Sequence, residues 1–175
     1  MKARVPKLLI GALLLAPSTL VAQGTASAAS LPRVPRPQEL LLALAGAWRF
    51  EMYSRGSTRA VESGQREMRL LDDSVKLTWT EHFGDRSDVG TGILGYNATM
   101  DTFYLLAAYT HEPGPLVLSG RGDLSARVIS FGSTGEMVSP GTFVRSDLRL
   151  IDADHFEWVA SDGSWRAVFT RVGKS

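Results

Sequence analysis

The stretch Gly46-Ala47-Trp48-Arg49-Phe50-Glu51-Met52-Tyr53 decides the fold. Trp48, Phe50 and Met52 take alternate places with Arg49, Glu51 and Tyr53, a period of two that puts apolar side chains on one face of an extended strand and polar ones on the other. A helix would scatter the same residues around its circumference. The alternation returns at Val75, Leu77 and Trp79 against Lys76, Thr78 and Thr80, and at Phe156 and Trp158 against His155 and Glu157. Turn formers separate such runs at short intervals: Asp72-Asp73-Ser74, Gly84 to Ser87, Asn97 to Asp101, Pro113-Gly114-Pro115, Gly122-Asp123, Gly132 to Gly135, Asp152-Ala153-Asp154 and Ser161 to Ser164. This pattern predicts about ten strands, near 47–54, 60–70, 74–83, 89–96, 102–111, 116–121, 127–132, 141–150, 155–160 and 164–172. No run between them has room for a crossover helix, so sequence neighbours should pair antiparallel as a meander. Strands with one apolar and one polar face fit a two-sheet sandwich or a closed barrel. Ten strands strain an open sheet, and closure removes its exposed edges. The expected fold is all-β: an antiparallel meander β-barrel of about ten strands.

Working outward from that first strand, Gln38 to Ala45 is a short run of helix formers preceded by Pro37 and stopped by Gly46, two helical turns that would cover one end of the barrel. Ser30 to Pro37 holds three prolines and reads as extended linker. Before it, a basic head (Lys2, Arg4, Lys7), an apolar core from Leu8 to Ala16 and a small-residue tail ending Ala26-Ser27-Ala28 have the anatomy of a cleaved signal peptide. The expected organisation is therefore a signal at 1–28, a linker at 29–37 and one barrel domain at 38–175, exported to the periplasm or beyond the cell. The absence of cysteine excludes a lipoprotein anchor, disulfides and thiolate chemistry. At 175 residues and 44% hydrophobic, the chain can bury one core and not two. Removing the three cations of the leader takes the formal charge from +1 to −2. Such a balance argues against nucleic acid, whose phosphates demand clustered cations.

Leu44-Ala45-Gly46-Ala47-Trp48, Gly90-Thr91-Gly92-Ile93-Leu94-Gly95-Tyr96-Asn97, Ser119-Gly120 and the closing Phe169-Thr170-Arg171 together resemble the DUF1579 family, a largely bacterial group of unknown function. The likeness runs from about Gln38 onward and implies a calycin-type, lipocalin-like barrel without implying an activity. Asn97 stands where that family commonly has aspartate, and Tyr109-Thr110-His111 replaces a tryptophan-x-aspartate element. Gly46-x-Trp48 also resembles the lipocalin opening motif, which implies an indole lying across the closed end of the barrel beneath an arginine of the last strand. Arg171 is the candidate partner.

Chemistry-bearing motifs are sparse. His82 and His155 fall on polar faces, and His111 at a strand end is the remaining candidate for a metal or haem; the acids of Asp152-Ala153-Asp154 are ordinary turn formers. No Gly-x-Ser-x-Gly elbow exists, and the glycines of Gly90 to Gly95 sit inside a strand, where they permit close packing, not at a helix start where they would cradle phosphate. No catalytic residue, metal ligand or cofactor is predicted. What remains is the inward face: Phe50, Met52, Met68, Leu77, Trp79, Phe156, Trp158, Trp165 and Phe169. If the lumen is open, a small apolar or amphipathic ligand would meet Phe50, Trp79 and Trp158, with the hydroxyls of Tyr96 and Tyr109 as polar contacts. If it is filled, the barrel is a scaffold for a protein partner, with Gly84 to Asp88 and Gly132 to Pro140 as contact loops. An enzyme is the third reading.

Overall fold

The computed structural model describes residues 35–71, 75–84, 87–133 and 145–173. The expected signal peptide, most of the linker, the Asp72-Asp73-Ser74 turn and the loop through 134–140 lie outside them. Among the described residues one helix, α1 (Pro37–Leu44), leads into ten strands: β1 (Gly46–Ser54), β2 (Glu62–Leu70), β3 (Lys76–Phe83), β4 (Val89–Asn97), β5 (Thr102–Tyr109), β6 (Leu116–Asp123), β7 (Val128–Ser133), β8 (Arg145–Leu150), β9 (His155–Ala160) and β10 (Trp165–Arg171). Each strand pairs antiparallel with its sequence neighbours, and β1 also pairs with β10, so the meander closes into a barrel. The predicted strands match within a few residues. The expected start of the eighth at 141 lies outside the described residues; its described part is Arg145–Leu150.

Pairing register fixes which side chains share the lumen. Across the closing seam Trp48 faces Arg171, Phe50 faces Phe169 and Met52 faces Ala167. The alternation then carries Met68, Leu77, Trp79, Phe156 and Trp158 inward, all of them buried. The half of the lumen nearest α1 is filled. Phe156 stacks on Phe169 at 4.1 Å and meets Trp48 edge-on at 4.7 Å. Leu40, Leu41 and Leu44 come from one face of α1 and add to the same core, while Leu42 looks outward.

The helix ends against the barrel, where its last carbonyls need partners. The indole Nε1 of Trp48 donates to Leu44 O at 2.8 Å. Arg171 donates from Nη1 to Ala45 O and from Nη2 to Ala43 O, both at 2.8 Å, and from Nε to Ala153 O across the β8–β9 hairpin. Its guanidinium carbon lies 4.1 Å from the Trp48 ring centroid, the stacking expected from Gly46-x-Trp48. Gly46 makes the approach possible: its φ of 135° suits glycine, and a Cβ there would collide with the Arg171 guanidinium. Gly92 has a similar role in β4, because a side chain would strike the Trp79 indole that lies across it.

Trp48→Ala should therefore lower stability by about 3–5 kcal/mol, the usual loss on emptying a large aromatic site. Arg171→Ala should cost less, because the Trp48 indole still holds Leu44 O. Urea unfolding of the two variants, compared at equal slope, checks the order.

Candidate functional site

At the end of the barrel away from α1 the lumen opens into a cavity of about 360 Å³. Its walls are aromatic: Phe50, Phe83, Tyr109, Trp158 and Phe169 from five strands, with Trp165 nearer the rim. Phe83 meets Phe50 edge-on at 5.6 Å and Tyr109 at 6.0 Å, and Trp158 meets Trp165 at 5.9 Å. Small residues leave the space between these rings. Ala167 stands where the seam partners nearer α1 carry Phe169 and Arg171. The rim is drawn from the β1 end (Tyr53, Ser54), the β2 start (Val61, Glu62) and the β5–β6 connection through His111, Glu112 and Pro113 to Pro115. His111 is exposed and packs on Phe83 and Tyr109, with ring centroids 5.5 Å from each.

The inner wall carries charge. Arg66 of β2 and Glu81 of β3 are direct cross-strand partners that point into the lumen, only 4% and 3% exposed. Nε of Arg66 donates to Glu81 Oε2 at 2.8 Å, and Nη2 donates to the same oxygen. The guanidinium carbon sits 4.5 Å from the Trp79 ring, 4.7 Å from Phe169 and 5.4 Å from Trp158. Aromatic faces thus surround the cation where the carboxylate does not. Ser146 supplies the other buried polar contact, accepting a hydrogen bond from Trp158 Nε1 at 2.7 Å, which fixes that indole in the wall.

Three of the five residues proposed from the sequence as ligand contacts, Phe50, Tyr109 and Trp158, line this cavity. Trp79 lies behind it: buried at 2% exposure, it forms the bed on which Arg66 stacks, 5.9 Å from Tyr109. Tyr96 sits at the α1 end of β4, packed on Phe103 at 5.0 Å with its hydroxyl donating to Asp101 at 2.8 Å. Neither touches the cavity. Sequence reading passed over Arg66 and Glu81, although both occupy the inward parity of their strands, two residues from Met68 and from Trp79 and Phe83. Opposite charges at matching places on the apolar faces of two consecutive strands were the available signal. His82 and His155 are exposed, as their parity predicts, and His155 Nδ1 lies 2.9 Å from Asp152 Oδ1.

No family model matches the chain, and no curated relative matches it. Among solved structures it is similar to a protein of unknown function from the DUF3598 family of Nostoc punctiforme, with 16% identity and a TM-score of 0.42. That match covers 82% of this chain and 53% of the other, so the chain spans about half the length of that protein.

Two outcomes follow from the inner wall. Glu81→Ala strands a buried cation and should cost about 3–5 kcal/mol, whereas Arg66→Met with Glu81→Leu should unfold at or above the parent's urea midpoint, because removing both charges also removes their desolvation penalty. Tyr109 adds a pH dependence. Its hydroxyl is pushed up from 10.0 to about 12, chiefly by burial, with Arg66 opposing the rise and Glu81 and Glu112 adding to it. The unfolded chain therefore releases this proton first, so Tyr109 contributes stability that is present below pH 10 and is lost as pH rises towards 12. Tyr109→Phe should flatten that alkaline decline, and an ultraviolet absorbance titration of the parent should show a tyrosine ionising at about 12 that the variant lacks.

Proposed function

We propose that the barrel is a non-enzymatic binding module that takes a small amphipathic molecule into its open end. The observation that carries this reading is a cavity of about 360 Å³ with five aromatic walls and one polar pair on its inner face. Small-molecule sites are commonly of this size and make-up: mostly apolar, with few polar groups to fix orientation. The rings supply burial and the Arg66–Glu81 pair supplies direction. The helix end is occupied by Trp48, Phe156 and the α1 leucines, so a guest would enter by the rim formed by Tyr53, Glu62 and the His111–Pro115 connection. The resemblance of Gly90 to Asn97 to the DUF1579 family agrees with a barrel and names no ligand.

The test is titration with phenylnaphthylamine, a neutral dye whose emission rises in apolar surroundings. The parent should bind it at micromolar concentration. Ala167→Trp, which places an indole in the cavity between Met52 and Trp158, should weaken binding at least tenfold. Arg49→Ala, on the exposed face of β1, should leave it unchanged. Equal binding by the parent and Ala167→Trp would sink the reading, as would a parent that binds no dye.

A further inference from the structure

The inner wall of the cavity has hydrogen-bonding capacity that the protein does not use. Both described bonds of the Arg66–Glu81 pair converge on one oxygen, Glu81 Oε2. Nη1 of Arg66 and Oε1 of Glu81 have no hydrogen-bond partner among the described residues. No fully enclosed side-chain nitrogen or oxygen of the described residues lacks a partner. Both atoms therefore keep some accessible surface, and the space that Arg66 and Glu81 both line is the cavity. A donor site and an acceptor site are presented together at the foot of an aromatic slot.

The charge of the pair restricts what can fill it. A carboxylate guest would bring a second negative charge against Glu81 with one guanidinium to share, in surroundings that screen charge poorly. An ammonium group would meet Arg66 in the same way. A neutral group holding a carbonyl beside an N–H satisfies Nη1 and Oε1 at once and adds no charge. Flat rings on the cavity walls favour a flat apolar body behind that group.

We propose, on the basis of the binding reading above, that the ligand is a neutral, flat amphiphile with an amide- or lactam-like edge, and that the Arg66–Glu81 pair selects it over carboxylates and amines of the same shape. The pair makes this distinction at the inner wall, where the aromatic rings would accept all of them.

Calorimetric titration of the full chain at neutral pH with naphthamide, methyl naphthoate and naphthoate tests the selection. These probes share one ring system and differ in the edge: acceptor with donor, acceptor alone, and anion. Naphthamide should bind about tenfold more tightly than the ester, the scale of one net hydrogen bond, and more tightly still than naphthoate. Glu81→Gln removes the opposing charge and should reverse the order of naphthamide and naphthoate. Should that variant fail to fold, Arg66→Met with Glu81→Leu probes the same selection: the amide should lose its advantage over the ester while phenylnaphthylamine still binds. Equal affinity for amide and ester in the parent overturns the proposal, as does an amide preference that persists in the double variant. A parent that binds phenylnaphthylamine and none of the naphthalene probes also overturns it, leaving the binding reading standing. A parent that binds neither removes both.

Discussion

Closure of the first strand on the last is the constraint from which the rest of the barrel follows. The meander brings successive strands together through short turns, but β1 and β10 meet only if all eight strands between them hold register. The seam also grades the lumen along its length. Arg171, which stacks over Trp48, closes the α1 end, Phe50 and Phe169 fill the middle, and Met52 beside Ala167 leaves room at the other end. A ten-stranded barrel is wider than one that side chains of ordinary size fill completely. Where the rings of the seam stop, the lumen opens. The cavity is thus a consequence of where along the seam an alanine replaces a ring.

The helix end shows what sealing such a barrel requires. A helix that stops against an apolar lumen brings carbonyls that water would otherwise satisfy. Trp48 and Arg171 answer Ala43, Leu44 and Ala45 between them, and Arg171 also ties in the β8–β9 hairpin through Ala153. The guanidinium can approach this closely because Gly46 has no Cβ. Three residues within the first and last strands therefore join helix, seam and hairpin. The motif Gly46-x-Trp48 holds the helix end to the barrel, and neither residue lines the cavity.

Most of the fold was legible because a strand's period of two survives without knowledge of its partners. Parity says which face a residue takes; it does not say how deep along the barrel the residue sits. Tyr96 and Tyr109 both belong to inward-facing clusters on neighbouring strands, yet β4 and β5 run in opposite directions, so Tyr96 lands at the helix end and Tyr109 at the cavity. Axial depth follows from strand direction and stagger, and a list of inward-facing residues uses neither. Trp79 illustrates a second limit. It points inward as predicted, but Arg66 lies over it and takes its place on the cavity wall. Arg66 and Glu81 were hidden by the habit of assigning charge to the solvent face, which is right for Arg49, Glu51 and Lys76 on the same sheet. A charge on the buried parity of one strand breaks the pattern. An opposite charge facing it on the next strand restores electrical balance inside the lumen.

A buried ion pair is a poor choice if stability alone is at stake, since two charges removed from water recover their desolvation cost only in good geometry and with every hydrogen-bonding group satisfied. The Arg66–Glu81 pair meets the first condition and not the second. Its geometry is bonded through Nε and Nη2 and cushioned by the rings of Trp79 and Phe169, yet one nitrogen and one oxygen are left facing the cavity. Apolar residues of similar volume would fill the same positions without that deficit. Here water can occupy the cavity and solvate the two free atoms, so the deficit is moderate in the empty barrel. Were a guest to expel that water, the deficit would become a source of selectivity, because a guest that could not replace both hydrogen bonds would leave them unmade. The more completely the aromatic walls exclude solvent, the more strongly the pair discriminates among the groups brought against it.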